Sequence, residues 1–246
     1  MKLGELSWPE VKELDKEKLV PVYPIASFEQ HGPHLPLLTD TLETADIVER
    51  LDRRLPDDVV CLPTQWLGYS FHHKRLACVT ATSDTHINLI TETVGCLIEA
   101  GFPQVMIVNG HGGNEADMAV ALQKLKEKYE ESRVYGVSYW KVAQERLDQI
   151  REAGPHGWGH AGEMETSMMM VIRPDLVKNE VPARDGWHPE SAHGEQVEQF
   201  LRIDEMTKQG VYGDPTFGTA EKGERMLEAA AESLAEVVRD IQSGRL

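Results

Sequence analysis

Apolar runs of strand length alternate along this chain with longer segments of helical periodicity. "LVPVYPIAS" (19–27), "VVCL" (59–62), "QVMIVN" (104–109) and "RVYGVSYW" (133–140) are the short runs. Between and after them, 40–55, 87–102 and a segment of about four turns after "NGHGGN" carry apolar residues at helical spacing. Strands alternating with helices at this pace predict an α/β fold with a mostly parallel sheet covered on both faces. A short helix is expected over "SWPEVKELD", with Ser7 capping and Pro9 in the first turn. Gly101 should stop the 87–102 helix in the left-handed conformation. "ETSMMMVIRPDLV" should start as a helix and end before Pro174, and 219–242 should form a strong C-terminal helix. With no repeat or long linker, residues 1–246 are expected to form a single domain.

In such folds, sites form where strands end at their carboxyl side. Two loops there concentrate unusual chemistry. "FEQHGPHLPLLTD" (28–40) brings Glu29, His31, His34 and Asp40; "NGHGGN" (109–114) brings His111 between glycines. Glu29 and His31 stand two apart, so in extended backbone both side chains face one side. Asp40, with two oxygens, could bridge two ions. Glycines around His111 leave room for a ligand. Imidazole with carboxylate suits zinc, manganese or iron(II), and the lack of thiolate ligands argues against a structural zinc site. "NGHGGN" lacks the lysine and spacing of a phosphate loop. A third cluster, "HGWGHAGEMETSMM" (156–169), offers His160, Glu163 and Glu165; a histidine there could pass a proton to a leaving group.

Composition narrows the partners. The formal net charge of −16 opposes nucleic acid and anionic membrane surfaces. No apolar run approaches the roughly 20 residues a membrane span needs. Three cysteines outside any CxxC pattern suggest reduced thiols and a cytoplasmic protein.

"FEQHGPHLPLLTD", "VNGHGGN", "SYW", "GHAGEMETS" and "GDPTFGTAEKG", in this order over about residues 20–225, resemble the creatininase (creatinine amidohydrolase) family. The resemblance implies a three-layer α/β/α sandwich and two divalent metal ions, Zn2+ and/or Mn2+ with Fe2+ in some relatives. It also implies a homo-oligomer, often a hexamer built as a trimer of dimers. Glu29 and His31 would each hold one metal, Asp40 would bridge both, and His111 would complete the Glu29 site. His160 falls where the family has its catalytic histidine. Trp140 and Trp158 match the tryptophans that enclose creatinine, and His34 is placed with them as a substrate contact. The family's Tyr-Glu pair after the His111 position is replaced by Gly112 and Gly113, so one carboxylate ligand must come from elsewhere. Glu163 is the expected replacement, as ligand and catalytic group, with Glu165 second.

The expected activity is amidohydrolysis of a non-peptide C–N bond, in a cyclic amide such as creatinine, by a hydroxide held between two metals. The glycine replacement is shared with relatives acting on formamides, short peptides or inosose-type ring ketones, which form the alternative. A non-catalytic metal-binding module is a third reading, opposed by His160. The segment 186–198 is the expected specificity loop.

Overall fold

The computed structural model describes the chain except for residues 155, 158, 179, 187, 189–196 and 198. The elements run α1 (Trp8–Glu13), β1 (Val20–Ile25), α2 (Thr39–Arg54), β2 (Val59–Cys61), α3 (Ser83–Glu99), β3 (Gln104–Asn109), α4 (Glu115–Lys128) and β4 (Arg133–Ser138). There follow α5 (Tyr139–Val142), α6 (Gln144–Asp148), α7 (Glu163–Ile172), α8 (Ile203–Met206) and α9 (Ala220–Ser243). The four strands form one sheet in the order β2-β1-β3-β4, and every pair is parallel.

β1 is a central strand, yet it holds Pro21 and Pro24, which cannot donate to a ladder. Register explains the tolerance. The Pro24 carbonyl accepts from Gln65 N–H at 2.9 Å, so its nitrogen also faces the β2 side. Pairing with β2 has ended by then, at Val22 opposite Cys61. Pro21, of opposite parity, faces β3, where pairing starts only at Val22 opposite Met106. Each proline lies just outside the ladder it would interrupt.

Alternate residues of each strand point to opposite faces. Val20, Val22, Cys61, Met106 and Val108 pack with α2, α7 and α9. Leu19, Tyr23, Ile25, Val105 and Ile107 pack with α3 and α4. The three-layer expectation is thus met. On α9, Leu227, Leu234, Val238 and Ile241 form a fully buried stripe, each stabilising by roughly 2 kcal/mol.

Helix boundaries follow their caps. Thr82 accepts from Thr85 N–H, so α3 starts four residues before the expected Ile87. Gly101 follows its end at φ +100, as expected. Thr219 caps α9, and Gly244 closes it in the left-handed conformation. The fourth strand stops at Ser138 rather than running to Trp140, because Tyr139 and Trp140 already belong to α5. All three cysteines are free. Among the described residues no helix is long and apolar enough to cross a membrane.

Candidate metal centre

The carboxyl ends of β1, β2 and β3 converge on one set of loops, tied together by two asparagines. Asn114 Nδ2 donates to the Ala26 carbonyl at 3.0 Å, and its Oδ1 accepts from Tyr69 N–H at 2.9 Å. Asn109 Oδ1 accepts from His111 N–H at 3.1 Å, and its Nδ2 donates to the His111 carbonyl at 2.9 Å. "NGHGGN" therefore laces the three loops; its amides bind backbone rather than phosphate. Gly110 is obligatory for space, since a Cβ there would lie 1.7 Å from Thr44 Oγ1.

Glu29, His31, Asp40 and His111 come together and are all buried. Asp40 sits in the first turn of α2, where the helix dipole favours its charge. Its Oδ1 is 2.9 Å from His31 Nε2, and its Oδ2 is 3.0 Å from His111 Nδ1. Ser27 Oγ donates to Oδ2 at 2.6 Å. The backbone sets both imidazoles. A carbonyl only accepts, so the Glu29 carbonyl, 3.0 Å from His31 Nδ1, draws the proton there in the neutral ring. Likewise the Tyr69 carbonyl, 3.0 Å from His111 Nε2, holds a proton on that nitrogen. Both bare nitrogens then face Asp40. A lone pair aimed at a carboxylate oxygen calls for a cation between them.

The charges agree. Burial opposes a charged His31, but Asp40 and Glu165 outweigh it and raise its pKa well above the ordinary value. For His111, burial is overcome by Glu29 and Asp40, which push it up to about 9. Burial also opposes ionised Asp40, yet His31 and then His111 hold its pKa well below the usual range. Without a metal, protons on the histidines take the place of a cation. Glu29 supplies an independent test of fit. Both its oxygens are buried without a well-aligned hydrogen bond, an arrangement a divalent cation would relieve.

Among the described residues four groups could hold an ion: Glu29–Asp40–His111, His31–Asp40–Glu165, Glu29–His31–His160 and Glu29–His72–His73. The last includes a histidine pair that sequence reasoning missed. "FHHK" lies beyond β2 as the other histidine loops lie beyond β1 and β3, and that parallel was the available signal. His73 Nε2 is 3.0 Å from Glu29 Oε1. Burial lowers His73 to about 2 and His72 to about 4, with neighbouring histidines adding to the effect.

Three expectations need correction or limits. Glu163 turns away from the cluster. Its carboxylate accepts from Lys222 Nζ at 2.6 Å and from the backbone N–H groups of Glu152 and Ala153. Glu165, two residues further along α7, is the acid that reaches in: its Oε2 is 3.7 Å from His31 Nε2 and accepts from Ala161 N–H. Burial, against His31, raises Glu165 to about 7. His34 does not face the cavity; it is fully buried, with Nε2 2.9 Å from Thr166 Oγ1. Trp158 and most of 186–198 lie outside the described residues.

A cavity of about 340 Å³ opens over the cluster. Trp140, Tyr139, His160, Gly112, Gly113 and Tyr212 help to line it. Below, Tyr139 OH donates to Glu43 Oε2 at 3.3 Å, while Glu43 Oε1 is buried without a partner. Burial, then Glu165 and Asp40, hold Glu43 well above the usual carboxylate range.

Known proteins share this fold. Curated relatives include the mycofactocin precursor peptide peptidase of Mycolicibacterium smegmatis, 28% identical and covering 90% of this chain and 85% of its own. The 3-dehydro-scyllo-inosose hydrolase of Thermotoga maritima is 24% identical over 96% of this chain and 82% of its own. The creatinine amidohydrolase of Pseudomonas putida is 24% identical over 97% and 96%. Among solved structures, a mutant creatininase complexed with creatine superposes with a TM-score of 0.84 at 22% identity, covering 98% of both chains. A manganese creatininase gives 0.82 at 22% identity, covering 97% of both. The creatinine amidohydrolase family model matches residues 4–238, nearly the whole length. This chain is a member of the creatininase family of hydrolases.

Proposed function

We propose that this hydrolase binds two divalent ions, zinc or manganese, and cleaves a C–N bond in a small cyclic amide. Glu29, Asp40 and His111 would hold one ion, and His31, Asp40 and Glu165 the other. The observation that carries this is Asp40, whose two oxygens face two histidines oriented by backbone carbonyls. Bound metals of this kind supply Lewis acidity and a water acidic enough to act as a nucleophile near neutral pH.

The protein's own groups do the rest. The cavity is of the size that takes a small ligand. Trp140 offers a flat apolar wall for a planar ring. His160 stays neutral, because burial and then His31 and His73 push its pKa well below the usual value. A neutral imidazole offers one N–H to the departing nitrogen or the carbonyl oxygen. Gly112 has open space around it, which leaves room where a side chain would narrow the cavity.

A second reading, an extended substrate such as a short peptide, draws on the rim. Phe200 and Phe71 are exposed there, with Phe200 6.3 Å from the His72 ring that lines the cavity. The proposal also includes a homo-oligomer of the hexameric kind, in the cytoplasm. Zinc- and manganese-loaded protein assayed on creatinine, hydantoins, formamides, inosose-type ketones and short apolar peptides tests both readings. Turnover of a ring amide is expected; cleavage confined to peptides would favour the second reading, and turnover of none of these would defeat both.

A further inference from the structure

Gln30 lies between the two proposed metal ligands of its own loop, yet its side chain turns to two histidines from other segments. Its Nε2 is 2.8 Å from His73 Nδ1, 3.0 Å from His160 Nε2 and 3.1 Å from the Gly210 carbonyl. Its Oε1 accepts from Gly32 N–H at 2.9 Å. The two backbone contacts settle which end of the amide is which. A peptide N–H only donates and a carbonyl only accepts, so oxygen faces Gly32 and nitrogen faces Gly210. The amide is also wedged: Gly210 has φ +75, and a Cβ there would lie 2.0 Å from Gln30 Oε1.

An amide nitrogen presents only hydrogens. Two N–H hydrogens serve three acceptors, so one is shared, but no arrangement lets Nε2 accept. An imidazole N–H aimed at it would set hydrogen against hydrogen. His73 Nδ1 and His160 Nε2 must therefore be bare. In neutral rings the protons then sit on the far nitrogens, His73 Nε2 and His160 Nδ1. Those nitrogens face Glu29 Oε1, at 3.0 and 3.7 Å.

We propose that Gln30 is a positioning residue that fixes the proton of His73 on Nε2 and that of His160 on Nδ1, making both rings donors into the site and not metal ligands. The inference rests on the metal-hydrolase reading for its consequence, not for its geometry. A ring that binds a metal through one nitrogen keeps its proton on the other and needs an acceptor there. His31 and His111 have such acceptors, the carbonyls of Glu29 and Tyr69. His73 and His160 have Gln30, a donor. Of the four candidate groups, the two containing His73 or His160 are thereby excluded as complete ligand sets. The two that share Asp40 remain. The group presented to substrate is then His160 Nδ1–H.

The test is nitrogen-15 NMR of histidine-labelled, zinc-loaded protein, which distinguishes the two neutral tautomers and a metal-bound nitrogen. Signals are assigned with His73→Asn and His160→Asn variants. Wild type should show His73 protonated on Nε2 and His160 on Nδ1, neither bound to zinc. In Gln30→Glu, whose carboxylate accepts, both rings should turn a proton toward position 30. In Gln30→Met, which keeps shape without donors, the tautomers should become mixed. For Gln30→Met, kcat on any substrate turned over should fall about 10- to 100-fold with KM and zinc content unchanged. Wild-type rings with the opposite tautomers, or zinc on either ring, would overturn the proposal, and this spectrum needs no variant to fold. Unchanged tautomers in both Gln30 variants would also overturn it. Expected tautomers in a protein inactive on every substrate would instead count against the hydrolytic reading alone.

Discussion

Glu163 and Glu165 stand two residues apart on α7 and serve opposite sides of it. Successive helical residues are separated by about 100°, so these two point roughly 200° apart. One side chain is locked by Lys222, and the other reaches His31. Their neutral variants should therefore fail in different ways. Glu165→Gln should fold but lose one of two metal equivalents. Glu163→Gln should keep metal stoichiometry yet lose about 2 kcal/mol of stability, because buried Lys222 then keeps only the exposed Glu152 carboxylate, 3.1 Å away, as a charge partner. Elemental analysis and denaturant unfolding, run on both, separate the two roles.

Asp40 is the carboxylate common to both proposed ion sites. Asp40→Ala should remove both equivalents together and reduce turnover at least a thousandfold, on the order expected when a catalytic electrostatic element is lost. A variant that still retains two ions by elemental analysis would contradict the bridging role.

Gly110 places β3's loop against α2. A methyl group there collides with Thr44, whose hydroxyl donates to the Asp40 carbonyl at 2.6 Å. Gly110→Ala should destabilise by about 2 kcal/mol through overpacking and weaken metal binding by shifting Asp40 from His111. Adding Thr44→Ala should recover part of both losses in thermal melts and in metal titrations. No recovery would mean the strain lies elsewhere.

Glu43 gives a pH signature. Its folded pKa is raised above the ordinary value of 4.5, so the folded state binds this proton more tightly than the unfolded state. The associated stability is fully present below about pH 4.5 and is lost as pH rises through the folded pKa. Glu43→Gln cannot ionise. In metal-free protein its melting temperature should match wild type at low pH and exceed it progressively as pH rises above about 4.5 toward the raised folded pKa. Parallel curves for the two proteins across that range would show that Glu43 titrates normally.

Much of this centre was readable from residues because the local patterns had a single physical solution. Apolar runs of strand length had to be buried, and polar residues following them had to gather at the strands' ends, as Glu29, His31, Asp40 and His111 do. What escaped depended on direction rather than position. Glu163 and Glu165 both follow His160 within five residues, and only the rotation of α7, set by Lys222 from α9, decides which one enters. His34 looked like its neighbour His31, but Gly32, at φ +66, turns the loop so that His34 meets Thr166. His73 was hidden because the link from β2 is long and irregular. Gln30 carries no charge and drew no attention.

The order of the donors along the chain has a consequence for biosynthesis. Translation completes Glu29, Asp40 and His111 well before it reaches His160 and Glu165. A ribosome-bound intermediate thus already owns every side chain proposed for one ion's cage while the other proposed cage still lacks Glu165. The two proposed sites would therefore be completed one after the other as the polypeptide is made.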